Sequence, residues 1–307
     1  MSSSDKSRNA VLLLAHGSPD SVDQIPEFLS KVTGGRPLPP AVVEEVRHRY
    51  GKVGCFPLTY LTNRQAELLS QRIGMPVYVG MRNWHPFVME TLGRMNTDGI
   101  THATVICMAP QNSRTSVGLY RSSLRAADSN MTFDFVESWH DHPKLIQAFV
   151  EKLKTGLASA AAEYANNPPV IFTAHSVPER TILEGDPYEE QTKHTAELVA
   201  AATGLDRSSW TFAFQSQGMS GGTWLGPTVE QTIQQLKEAG HGGVFVQPIG
   251  FLCDHIEVLY DIDIGFKEFA EGQGMKLWRA ESLNTSPLLT EALAQIVQSR
   301  TAVPAAK

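Results

Sequence analysis

This 307-residue sequence predicts two α/β lobes, each a parallel sheet covered by helices on both faces. Three observations carry that prediction. Residues 11–19 (VLLLAHGSP) are nearly repeated at 170–178 (VIFTAHSVP), each a short apolar run that ends on Ala-His and breaks into small residues and proline. Residues 105–110 (VICMAP) and 244–248 (VFVQP) form a second pair of strands running into proline. Strand-like and helix-like segments alternate almost throughout, and several strands are apolar at every position, as parallel strands buried on both faces are.

In chain order, strands are expected at 11–15, 77–79, 103–108, 133–136, 170–174, 211–214, 243–247 and 276–278. Helices are expected at 64–73, 85–96, 144–164, 188–203, 228–239 and 254–269. The 144–164 helix links the lobes, and Asn166-Asn-Pro-Pro169 breaks it. This sets an N-terminal lobe at 1–145 and a C-terminal lobe at 146–307, with the join inside 138–168. The Ala/Pro-rich residues 301–307 are expected to fray.

Composition narrows the function classes. A 42% hydrophobic and 19% charged make-up is that of a soluble globular chain. A net charge of −6 argues against nucleic acid or an anionic membrane as the main partner. No apolar stretch approaches the roughly 18 residues of a membrane span, and the N-terminus lacks the apolar core of a signal peptide, so a cytoplasmic location is expected. A monomer is the expected state, though the sequence itself does not decide it. Cys55, Cys107 and Cys253 are scattered, which speaks against a disulfide framework or a Cys-ligated cluster and for free thiols; Cys253 adjoins an acidic segment.

In an open α/β sheet, ligands gather at the carboxyl ends of strands, so His16 and His175 stand at the mouths of two related halves. The segment after Pro248 carries Asp254, His255, Glu257, Asp261 and Asp263. On a continuous helix, Asp254, Glu257 and Asp261 would stack along one face, as a cation path or proton relay does. Asp254 is also explained as a helix cap; Glu257 and Asp261 are not. His175 suits both metal ligation and proton transfer. The usual Gly-rich nucleotide motifs and a GxSxG nucleophile setting are missing from the sequence. His140 and His142 read as a surface loop, and Trp210, Trp224 and Trp278 as core or cleft wall.

Taken together, Thr173-Ala-His-Ser-Val-Pro-Glu179, Gly185-Asp-Pro-Tyr188, Gln215-Ser-Gln-Gly218, Trp224-Leu-Gly-Pro227 and the segment from Gly250 through Asp254-His-Ile-Glu257 to Asp261 resemble the ferrochelatase family, enzymes that insert ferrous iron into a porphyrin. The resemblance runs from about residue 11 to 297. It implies two Rossmann-like, chelatase-type lobes around a porphyrin cleft. His175 and Glu257 would be the central metal-binding and proton-handling pair, with Asp261 on an outer iron path. His16, Arg36, Phe56 and Trp224 would face the porphyrin. His16 falls where relatives often carry a Tyr, Phe56 where many have a Ser, and Gly265 where many have a second outer Glu.

The short segment between His16 and Pro57 resembles the compact soluble type, whose substrate is coproporphyrin III. Arg36, with Lys31, Arg47 and Arg49 nearby, offers partners for its four propionates, although basic residues on helices are usually just solvated. The resemblance implies Fe2+ as substrate, no tightly bound cofactor, no stable membrane insertion, and transient contact with other haem-pathway enzymes. Competing readings are a protoporphyrin IX ferrochelatase, a cobalt or nickel chelatase of another tetrapyrrole, and a non-catalytic porphyrin carrier.

Overall fold

The computed structural model describes residues 8–125, 131–164, 167–217 and 222–301. Asn166 of the expected helix break, Gly218 of the QSQG motif, and the two termini (1–7 and 302–307) lie outside the described residues. The N-terminal lobe is built on β1 (Asn9–Ala15), β2 (Val77–Met81), β3 (His102–Cys107) and β4 (Thr132–Val136), all parallel in the order β2-β1-β3-β4. The C-terminal lobe repeats the plan with β5 (Val170–His175), β6 (Trp210–Gln215), β7 (Gly243–Pro248) and β8 (Lys276–Arg279) in the order β6-β5-β7-β8. All eight expected strands form. The two Ala-His strands, β1 and β5, occupy the same inner place in their sheets, which explains the near-repeat: both are buried between two strands and two helical layers.

The helices fill three layers. α1 (Ile25–Val32), α2 (Pro40–Val53) and α3 (Pro57–Ile73) follow β1; α4 (Val88–Thr97) and α5 (Val117–Arg125) follow β2 and β3. α6 (Pro143–Glu163) leads to the second sheet, where α7 (Glu179–Leu183), α8 (Tyr188–Thr203) and α9 (Val229–Glu238) follow β5 and β6. α12 (Pro287–Thr301) packs on both α3 and α6, so the last helix of the chain lies against both lobes. One core cluster accordingly runs from Leu13 and Met81 through Phe149 and Leu293 to Phe172 and Phe245, all fully buried. Two further clusters lie on the opposite faces, one in each lobe, around Leu92 and Val105 and around Ile233 and Val246. The shared middle layer sets how far apart the lobes stand.

The expected helix at 254–269 is not continuous. His255 is fully extended (φ −162°, ψ −178°), α10 spans Ile256–Leu259, a π-helix covers Asp261–Phe266, and α11 follows at Lys267–Gly272. The π-turn closes where the Gly265 N–H reaches the Tyr260 carbonyl at 2.8 Å. Asp254 therefore precedes the helix and does not stack with Glu257 and Asp261. Its carboxylate instead accepts from Ser282 Oγ (2.7 Å) and Asn284 Nδ2 (2.8 Å), and Arg279 lies 3.5 Å away. Asp263 is likewise held away from the acidic face, in a two-pronged pair with Arg279 at 2.6 and 2.8 Å.

Candidate active site

β5 ends on His175 and β7 ends on Pro248, adjacent strands in one parallel sheet. Gly250 makes the crossing close: a Cβ there would stand 2.8 Å from the Cβ of Ala174, the residue before His175. The chain then turns through the extended His255 into α10, which puts Glu257 on its first turn. His175 Nε2 and His255 Nε2 each lie 3.5 Å from a different oxygen of the Glu257 carboxylate. The sequence motifs paired His175 with Glu257; the second imidazole at the same carboxylate is a finding of the structure.

Both rings are turned by the backbone. His175 Nδ1 faces the Ser176 carbonyl and His255 Nδ1 faces the Cys253 carbonyl at 3.1 Å. A carbonyl only accepts, so each Nδ1 carries the hydrogen and each ring turns its Nε2 toward the Glu257 carboxylate. His16, from the other lobe, follows the same rule, with Nδ1 3.0 Å from the Gly17 carbonyl. All three rings are thus oriented by a neighbouring backbone carbonyl, two just at strand ends and one at the start of α10. Tyr188 steadies the central one, its hydroxyl donating to the His175 carbonyl at 2.9 Å.

Electrostatics tie the two lobes to one recess. His16 is open to solvent yet surrounded by protein, as a residue on a cleft wall is; burial lowers its pKa, and Glu257 opposes that shift. Burial alone would raise the pKa of Glu257, but His175, His255 and His16 together draw it down to about 2. Its side chain keeps 37% of its surface open to water, so this is a lined recess and not a sealed interior. Asp261 moves the other way, up to about 6, chiefly through burial and against a hydrogen bond from Ser216 Oγ. Ser216 holds a left-handed backbone (φ 59°) to make that bond. Gln215 beside it donates to the Glu257 carbonyl at 2.7 Å, so the end of β6 fixes the acidic helix from below.

The remaining predicted residues lie around this centre. Phe56 is half-buried and stacks on the buried Tyr50 at 5.2 Å. Trp224 is half-buried beside Pro178, on the loop after β5. Arg36 is exposed between α1 and α2, folded back on the Thr33 carbonyl at 3.4 Å. His140 and His142 are not a simple surface loop. His140 Nε2 meets His194 Nδ1 at 3.2 Å where the lobes join, and His142 accepts the first-turn N–H of Lys144 in α6. Cys253 is buried, its thiol pushed up to about 12 by burial, which leaves it inert. Arg82 was not singled out in the sequence; it lies within electrostatic reach of His16. Its position at the end of β2 is the signal that would have found it.

Comparison with known proteins fits this geometry. The chain is 52% identical over 308 residues to a ferrochelatase of Acidobacterium capsulatum, covering 95% of this chain and 94% of that protein. It is 33% identical to a coproporphyrin III ferrochelatase of Geobacillus kaustophilus, with 96% of each chain covered. The sirohydrochlorin chelatase SirB of Bacillus subtilis subspecies spizizenii, solved with cobalt, shares the fold at a TM-score of 0.56 and 10% identity, over 95% of this chain and 94% of that one. The two sheets are therefore the Rossmann-like lobes of the chelatase fold. Residues 8–301 match the family described as Ferrochelatase, and the chain belongs to that family.

Proposed function

We propose that this ferrochelatase takes coproporphyrin III as its porphyrin, with His175 and Glu257 as the pair that receives iron and handles the displaced protons. The observation that carries the pair is the meeting of two imidazoles at one part-exposed carboxylate, 3.5 Å on either side. Among the described residues no three His, Cys, Asp or Glu side chains close into a metal cage.

Insertion of Fe2+ releases two pyrrole protons. A carboxyl held near 2 is a poor base, so Glu257 remains the anion that attracts the cation and stabilises a charged neighbour, and displaced protons leave through the His175 and His255 imidazoles 3.5 Å away. Asp261, one turn further along, offers an outer contact for arriving iron. His16 faces the macrocycle from the other lobe. Fe2+ is a substrate in this scheme, and no resident cofactor is required.

The coproporphyrin choice rests on the lip of the cleft. The described residues leave four large hydrophobic side chains exposed, Tyr60, Met89, Leu119 and Leu183, and none comes from 17–56. A polar lip carrying Lys31, Arg36 and Arg47 suits a tetracarboxylate better than a dicarboxylate porphyrin. Anaerobic Fe2+ insertion run in parallel on coproporphyrin III and protoporphyrin IX tests it. Faster turnover of coproporphyrin III is expected; a preference for protoporphyrin IX would reverse the substrate assignment, and porphyrin binding without metallation would favour a carrier.

A further inference from the structure

Resting on the iron path just proposed, we infer that Arg49 is a gating residue for the incoming cation: its guanidinium stands beside Asp261 where Fe2+ must arrive, and moves off it, still held by Glu45, to admit it. Arg49 lies on α2 of the N-terminal lobe, yet its Nη1 is 3.9 Å from Asp261 Oδ1 in the C-terminal lobe. Its guanidinium also covers the Tyr260 ring at 5.1 Å. One turn on, Lys52 of the same helix lies 3.9 Å from Glu268. Two cations of one lobe therefore face two carboxylates of the other across the outer edge of the recess.

The shorter bond is the one within α2, Arg49 Nε to Glu45 Oε1 at 2.8 Å. Opening the Asp261 contact thus leaves the guanidinium paired. Arg49 is 43% exposed and Asp261 15%, so the mobile member of the pair is the arginine and the fixed one the carboxylate. A charged plug of this kind leaves Asp261 compensated between turnovers and exchanges one cation for another when iron binds.

The test is steady-state kinetics of Fe2+ insertion with the full chain. Arg49→Ala removes the competing cation and should lower KM for Fe2+ by about two- to fivefold, the range a half-exposed ion pair supports, with the change in KM and not in kcat. Glu45→Gln removes the alternative partner and should raise KM for Fe2+. Arg49→Lys should stay close to the unaltered chain. In an Asp261→Asn background the Arg49→Ala effect should vanish. An unchanged or raised Fe2+ KM in Arg49→Ala, an effect that survives in Asp261→Asn, or a shift confined to porphyrin KM would overturn the gate; the last would make Arg49 a porphyrin contact. Failure of the unaltered chain to insert iron into either porphyrin would instead sink the functional reading itself.

Discussion

The two lobes share one sheet plan and differ in what the loop after the third strand of each does. After β3, the N-terminal lobe sends residues 110–114 across to the other lobe. There Gln111 bonds Thr195 and the Ile249 carbonyl, the Asn112 N–H bonds Gln191, and Ser113 and Arg114 bond Asp186. After β7, the C-terminal lobe uses the equivalent place for His255, Glu257 and Asp261. One loop joins the halves and the other carries the residues proposed to handle iron. Duplicated geometry thus supplies two strand-end histidines, but only one of them receives a carboxylate partner.

Removing the chemistry from one lobe at a time tests that asymmetry most severely. His175→Ala and Glu257→Gln should each lower kcat by about 10²- to 10⁴-fold while porphyrin binding, followed by fluorescence quenching, stays measurable. His16→Ala should cost about tenfold or less, because His16 feels Glu257 only at a distance. Equal losses at positions 16 and 175 would mean the lobes share catalysis evenly.

The joining loop should act on stability. Asp186 has a side chain only 1% exposed and accepts from the Arg114 N–H (2.7 Å), Ser113 Oγ (3.2 Å) and the Tyr188 N–H (3.0 Å). Asp186→Ala leaves those donors unpaired and should cost about 2–4 kcal/mol in urea unfolding. Because the middle core spans both sheets, the loss should appear as one cooperative transition moved to lower urea. Two separated transitions would show that the halves fold independently.

The site's pH response should come from Asp261. Its folded pKa, about 6, lies above the ordinary value, so the folded state binds more protons than the unfolded chain between about pH 4 and 6. Stability should fall as pH rises through that window, and Asp261→Asn should recover on the order of 2 kcal/mol above pH 7. The same substitution should raise KM for Fe2+. Unchanged stability at pH 8 would mean the carboxyl is not desolvated.

Sequence patterns were most legible where neighbours in sequence decide the structure. Apolar runs such as 170–174 must be buried on both faces, and the inner strands β1, β3, β5 and β7 follow from that; the outer strands β4 and β8 are only half-buried and follow from the strand–helix alternation. What they hid were contacts between distant segments. A continuous helix at 254–269 fits local periodicity, yet Gly250 packs against Ala174 and His255 runs extended, which sends Asp254 to Ser282 and Asn284 instead of to Glu257. His255 stood in the motif, but only the turn of its ring on the Cys253 carbonyl shows that it faces the carboxylate. Phe56 could not be linked to Tyr50, nor Arg49 to Asp261, because each pairing depends on how α2 docks.

The finest difference between the lobes lies in the glycines beside the histidines. Gly17 follows His16 with φ +86°, and a Cβ there would meet the Trp84 backbone nitrogen at 2.9 Å. Gly250 has no positive φ, but its Cβ would press on Ala174 at 2.8 Å. Both Ala substitutions should cost about 1–3 kcal/mol, since neither neighbour is a flexible side-chain end. Their effects on turnover should part company. Gly250→Ala pushes the strand that carries His175 away from the helix that carries Glu257, widening the 3.5 Å approach, so kcat falls along with stability. Gly17→Ala disturbs the wall facing that pair, and its loss should fall mainly in porphyrin KM. Thermal melts with kcat and KM for both variants decide this, and an equal loss of kcat in the two would place His16 in the chemistry itself.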